Sequence, residues 1–186
     1  GGGNKLGAEG AGKPMVRHAG EAARASTAAA AIVVAGHQAK RVREALEGCD
    51  ATVVENRHYA QGLSTSLKRG IAAAGEIDPP VDGAVVLLGD MPTVSPGDLD
   101  RLIAAFDPEE GRAICAPTFN GKRGNPVLWG REFFDDMAGL TGDVGAKHLI
   151  GENADRVCDV PMATQSVLTD VDTPEALAAL EKAKAG

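Results

Sequence analysis

A chain of 186 residues is long enough for one domain with a real core. Its 26 Asp and Glu exceed its 19 Lys and Arg, a net charge of −7, and this balance disfavours a non-specific nucleic-acid binder, which needs a basic face. Aromatic residues make up only 3%, too few to build stacking platforms for single strands.

The three cysteines, Cys49, Cys115 and Cys158, are far apart and odd in number. A secreted disulfide framework usually shows an even count, so they read as small core residues of a reduced, cytoplasmic protein. No apolar run reaches the roughly 18 residues of a membrane helix. No secretory signal is visible.

In chain order, Pro14 suits the first turn of a helix that runs to about Ser26. Ala31–Ala35 reads as a strand closed by Gly36. Gln38–Glu47 reads as a helix with Val42, Ala45 and Leu46 on one face. Ala51–Val54 is a short strand. Ser64, as N-cap, opens a helix to Ala74 with Leu67, Ile71 and Ala74 inward. Asp78-Pro79-Pro80 is a loop, and Val85–Leu88 a buried strand ended by Gly89. Ser95 and Pro96 predict the start of a helix carrying Leu99, Leu102, Ile103 and Phe106.

Ala113–Pro117 and Pro126–Trp129 are strands that flank a turn, Asn120–Asn125, and fit an antiparallel hairpin on one edge. Glu132–Met137 and Val144–Ile150 read as short helices. Val157–Val160 and Val167–Thr169 read as strands, and a last helix begins near Pro174. Strands separated by helices point to parallel crossover units and a single α/β domain over residues 1–186. Gly20 stands on the inward face of the first helix, beside Val16 and Ala23, where the pattern calls for a bulky residue.

The chemistry-bearing positions recur at element ends. Asp90 follows a strand and precedes the stiff Met91-Pro92, and open α/β sheets bind ligands beyond the carboxyl ends of their strands. Asp170 and Asp172 stand in a similar setting before Pro174, and each is either a metal ligand or a helix cap. Magnesium takes one or two carboxylates and leaves room for phosphates and water, so Asp90 with Asp172 matches its demand if their strands are neighbours.

Gly1-Gly2-Gly3 before Lys5 offers backbone N–H groups and a cation to phosphate, or is a flexible lead. Gly62 and Ser66 lie where a loop enters a helix, and serve either a ligand or the turn itself. Arg123 and Asn125 sit on a basic turn that is either solvated or in contact with an anionic acceptor. Gly142 and Asp143 precede a further helix, as a cap or as a second anion contact. His18, His37, His58 and His148 show no zinc spacing, and no nucleophile elbow, Walker loop or dinucleotide fingerprint is present.

Taken together, Asn4-Lys5-Leu6, Gly12–Val16, Asn56–Ser66, Leu88–Pro92, Arg123–Val127, Gly142–Ala146 and Asp170–Pro174 resemble the molybdopterin nucleotidyltransferases, with the MobA-like NTP transferase fold. Among these the resemblance is to the molybdenum cofactor cytidylyltransferases. It implies a Rossmann-like three-layer, mostly parallel sheet with a short antiparallel hairpin. The family opens with a strand and a Leu-Ala-Ala-Gly loop ending in Arg-Met-Gly. That opening is absent here, so the resemblance implies an incomplete N-terminus with the first strand missing. Gly7 and Gly20 also stand where the family has larger apolar residues.

The resemblance implies transfer of CMP from CTP to the terminal phosphate of molybdopterin, with release of pyrophosphate. The attacking phosphate is already an anion, so no general base is required. Asp90 and Asp172 would hold Mg²⁺, and Lys5, Gly2 and Gly3 would meet the triphosphate. Gly62 and Ser66 would lie near the nucleotide, and Arg123, Asn125, Gly142 and Asp143 would face the pterin. A molybdoenzyme of the hydroxylase type would receive the product, and no nucleic acid or membrane takes part. The rival activities are guanylyl transfer to the same cofactor and transfer to a sugar phosphate. A non-catalytic molybdopterin carrier or insertion chaperone, and a nucleotide-binding regulatory domain, are readings of another class.

Overall fold

The computed structural model describes residues 9–10, 13–28, 30–36, 39–61, 63–86, 95–141, 146–163 and 165–168. In chain order the elements are β1 (Glu9–Gly10), β2 (Lys13–Pro14), α1 (Met15–Ala25), β3 (Ile32–Ala35), α2 (Ala39–Ala45) and β4 (Thr52–Glu55). Then come α3 (Leu63–Gly75), β5 (Gly83–Val86), α4 (Pro96–Ala105), β6 (Ile114–Phe119), β7 (Lys122–Arg123) and β8 (Val127–Gly130). The described chain ends with α5 (Phe134–Ala138), α6 (Lys147–Glu152), β9 (Val157–Pro161) and a 3₁₀ turn at Gln165–Leu168.

Alternation along the strands sets the layers. On β6, Ile114 and Ala116 join one apolar cluster and Cys115 joins another. On β8, Val127 and Trp129 join the first cluster and Leu128 the second. Successive strand side chains point to opposite faces, so this sheet is covered on both sides. Ile71 and Ala74 of α3, Phe134 and Met137 of α5, and Leu149 and Ile150 of α6 cover the first face. Leu102 of α4, with Val160, Met162 and Val167, covers the second. Trp129 meets Phe133 edge-on, with ring centroids 6.4 Å apart. The expected Rossmann-like α/β architecture is the one observed.

β3 and β4 pair in parallel, Ile32 opposite Thr52 through Ala35 opposite Glu55. β6 and β9 also pair in parallel, Ile114 opposite Val157. β6 and β8 run antiparallel as expected, but β8 lies between β5 and β6 rather than on an edge. The tight hairpin is instead β6–β7, closed by Asn120 and Gly121 at φ 52° and 79°. Two positive φ values in a two-residue loop are what a twisted hairpin demands.

Local chemistry explains several boundaries. Ser95 caps α4: its Oγ accepts the Asp98 N–H at 3.1 Å, and Asp98 Oδ2 accepts the Ser95 N–H at 3.4 Å. This reciprocal pair satisfies two donors that a helix start otherwise leaves open, and Pro96 follows at the first helical position. Gly20 is buried on α1, and a Cβ there would stand 2.8 Å from Leu46 Cδ2. Leu46, which follows α2, fills the place where the sequence pattern calls for a bulky residue.

Two expected features differ. Ser64 does not cap α3, because the helix begins one residue earlier and Ser64 is fully buried in its first turn. The apolar residues expected as a strand at Val167–Thr169 form the 3₁₀ turn as far as Leu168. Val167 is buried in the core, so its hydrophobicity serves packing without joining a ladder. The part of the expected Val85–Leu88 strand beyond Val86, and the helix expected near Pro174, lie outside the described residues.

Candidate functional site

β4 delivers the chain to Asn56, whose N–H donates to Ala35 O at 2.8 Å and so extends the parallel ladder by one step. The Asn56 side chain is buried. Its Nδ2 donates to Thr65 Oγ1 at 2.9 Å and to Ser66 Oγ at 3.0 Å, while its Oδ1 accepts the His58 N–H at 2.9 Å. Thr65 Oγ1 in turn donates to His58 O at 2.9 Å. A buried amide can present two N–H groups and a carbonyl, and here all three functions are engaged. The result is a closed loop from residue 56 to the first turn of α3, pinned from inside by one side chain.

The clasp ties the start of α3 to the end of β4: the Thr65 and Ser66 hydroxyls of its first turn both accept from Asn56. The clasp also fixes the chemistry of Ser66. Its oxygen accepts from Asn56, which leaves its own proton to be donated elsewhere.

An open groove of about 790 Å³ runs beside the clasp. Arg43 of α2, Val53–Glu55 of β4, Asn56, Arg57, His58 and Gln61 of the loop, and Thr65, Lys68 and Arg69 of α3 line it. Arg43 Nη1 meets Glu55 Oε1 at 3.0 Å, and Arg69 Nε donates to Glu55 O at 3.1 Å. Gln61 Nε2 stands 3.3 Å from His58 Nδ1.

A second polar cluster surrounds the hairpin. Arg123 Nε donates to Asp159 Oδ1 at 2.7 Å, an ion pair with both partners about half exposed. Such a pair adds little stability in water. Gly124 N donates to Pro117 O at 2.8 Å, and Asn125 N to Val167 O at 2.7 Å. The Arg123–Asn125 turn therefore docks the 3₁₀ turn that precedes Thr169-Asp170.

Of the site residues expected from sequence, Ser66, Arg123 and Asn125 fall within the described structure. No hydrogen bond among the described residues joins Ser66 to the other two. Gly2, Gly3, Lys5, Gly62, Asp90, Gly142, Asp143 and Asp172 lie outside the described residues. Among the described residues no group of three His, Cys, Asp or Glu side chains could hold a metal ion. None of their helices is long and apolar enough to cross a membrane. The sequence pattern alone does not single out Asn56 or the groove cations as site residues. The only signal for Asn56 is its place at the head of a polar loop after a strand, and for the cations the charges of Arg57 within that loop and of Lys68-Arg69 in the helix after it.

The Rossmann-like α/β architecture places the chain among proteins of nucleotidyltransferase fold. Mth528, a nucleotidyl transferase from Methanothermobacter, superposes with a TM-score of 0.74 at 26% identity, covering 95% of this chain and 83% of that one. Rv0371c from Mycobacterium tuberculosis, solved as a complex with manganese, gives a TM-score of 0.70 at 26% identity over 97% and 92%. The bifunctional protein GlmU of Bordetella parapertussis is 33% identical over 108 residues, which are 58% of this chain and 23% of that protein. The chain thus spans about a quarter of the length of that curated relative. The MobA-like NTP transferase domain matches residues 1–157, and the chain belongs to that family.

Proposed function

We propose that this protein transfers CMP from CTP to the terminal phosphate of molybdopterin and releases pyrophosphate. The observation that carries the reading is a built loop, closed by Asn56 at the carboxyl end of β4 and leading into α3, in a chain whose residues 1–157 match the MobA-like NTP transferase domain. Ligands of open α/β sheets lie beyond the carboxyl ends of their strands. The Ser66 hydroxyl, polarised by Asn56, would donate to an acceptor atom of the nucleotide.

In the transfer an oxygen of the acceptor phosphate attacks the α-phosphorus of CTP, and the bond to the β-phosphate oxygen breaks. The nucleophile needs no proton removed, which accords with the lack of a Ser/His or Cys/His pair in the sequence. Positioning and charge neutralisation then carry the reaction. Asp90 and Asp172 are proposed to hold Mg²⁺, which when bound neutralises charge on the phosphate oxygens. Lys5, Gly2 and Gly3 are assigned to the triphosphate, Gly62 to the nucleotide, and Arg123, Asn125, Gly142 and Asp143 to the pterin side. A hydroxylase-type molybdoenzyme is the proposed recipient.

The test is pyrophosphate release with Mg²⁺, molybdopterin and each nucleoside triphosphate in turn. CTP is expected to support release above GTP. Preference for GTP would make the protein a guanylyltransferase, and release only with a sugar phosphate would replace molybdopterin as acceptor. Binding of molybdopterin with no release from any nucleotide would favour the carrier reading.

A further inference from the structure

We infer that the groove between α2, β4 and α3 is a binding site for a phosphate-bearing polyanion. The chain as a whole carries −7, yet Arg43, Arg57, Lys68 and Arg69 converge on this groove against one carboxylate, Glu55. They come from three separate elements, so the clustering is a product of the fold and not of a charged run in the sequence.

The four cations fall into two pairs. Arg43 and Arg69 are held in place by the Glu55 carboxylate and the Glu55 carbonyl. Arg57 and Lys68 make no ion pair or hydrogen bond among the described residues. In the first pair the Glu55 carboxylate offsets the charge of Arg43, and Arg69 keeps its charge while its Nε meets the Glu55 carbonyl. The second pair supplies unspent donors, one a planar guanidinium fork that suits phosphate oxygens and one a mobile point charge. Arg57 also rides on the loop that Asn56 clasps, next to His58, so its backbone is anchored.

Charges beside an exposed strand also serve to discourage edge-to-edge pairing. That role calls for charges on the strand itself. Here β4 contributes only Glu55, and the cations reach in from α2, the loop and α3. Four cations against one carboxylate line a groove of about 790 Å³, a size that suits a small ligand.

The choice of a phosphate ligand rests on the proposed transfer, in which both substrates and the leaving group carry phosphates. The anion site itself stands on the groove. Its shared chemistry is a group of two or more negative charges, from a nucleotide's phosphate chain or from free pyrophosphate.

Titration calorimetry on the full chain in EDTA tests it, with inorganic pyrophosphate and CTP as separate ligands. Wild-type protein is expected to bind pyrophosphate, and Arg57→Ala/Lys68→Ala to bind it at least about tenfold more weakly, with affinity falling as salt rises. Loss of both ligands' affinity in the double variant assigns the groove to the nucleotide's phosphates and takes that role from Lys5, Gly2 and Gly3, and loss of pyrophosphate alone assigns it to the free anion. No binding by wild-type protein, or affinity in the double variant within twofold of wild type, overturns the inference. Asp90→Ala separates this site from the transfer centre: it is expected to lose turnover and keep pyrophosphate affinity in EDTA. Binding without turnover in the wild type would remove the proposed function and leave the anion site standing.

Discussion

Gly124 is the position where one methyl group should do most damage. A Cβ built there would stand 1.7 Å from Val167 O and 2.5 Å from Val167 C, both backbone atoms. Its φ is not in the left-handed region, so the demand for glycine is one of space. Ordinary contact begins near 3.4 Å, so the turn and the 3₁₀ segment must part by about 1.7 Å. That separation breaks the 2.7 Å hydrogen bond from Asn125 N to Val167 O, worth about 0.5–1.5 kcal/mol. It also lifts Val167, 1% exposed, out of its packing against Leu102 and Cys115, an overpacking cost of about 1–3 kcal/mol. Gly124→Ala should therefore lose about 1.5–4.5 kcal/mol in urea denaturation followed by circular dichroism. Gly139→Ala is the control: its Cβ would meet Asp136 O at an ordinary 3.5 Å, and the change should stay within about 0.5 kcal/mol. A Gly124→Ala protein as stable as this control would refute the packing argument.

Two other perturbations follow from single groups. Asn56→Ala removes the donor to Thr65 and Ser66 and the acceptor of the His58 N–H, and should cost about 2 kcal/mol, read in the same urea assay. It should also raise the KM for nucleotide more than it lowers kcat if the loop binds nucleotide, and a KM equal to wild type would count against that role. Burial, with the neighbouring Cys158 adding to it, pushes the Cys115 thiol from 9.0 up to about 12. Above pH 9 the unfolded chain loses this proton while the folded one keeps it. Stability from this group is thus fully present below pH 9 and falls by about 1.4 kcal/mol per pH unit as pH rises toward 12. Cys115→Ala should show a shallower loss over that window, and an unchanged slope would contradict the assignment.

The order of elements was legible because its signals are local. Leu99 and Leu102 recur at helical spacing, Ser95-Pro96 marks a start by its own hydrogen bonding, and both hold in the structure. What escaped the sequence is decided by partners distant along the chain. The insertion of β8 between β5 and β6 depends on which strand edges meet, and nothing in Val127–Gly130 encodes its neighbours. Val167 looks like a strand residue because it is apolar, but the Asn125 N–H, in the turn after β7, claims its carbonyl. Gly20 makes sense only once Leu46 is seen to fill its place.

The site divides the same way. Ser66 was visible as a polar residue entering a helix, whereas the clasp that polarises it needs Asn56 to fold back over ten residues. The groove cations were invisible as a group because α2, the loop and α3 bring them together from separate stretches of chain.

The central claim is that the chain transfers a nucleotide at a centre built on Asp90 and Asp172. Pyrophosphate release from CTP with molybdopterin and Mg²⁺, measured on wild type beside Asp90→Ala and Asp172→Ala, addresses it most directly. The account predicts release by the wild type and a loss of about 100-fold or more in each variant. Variants that release pyrophosphate at the wild-type rate would contradict it.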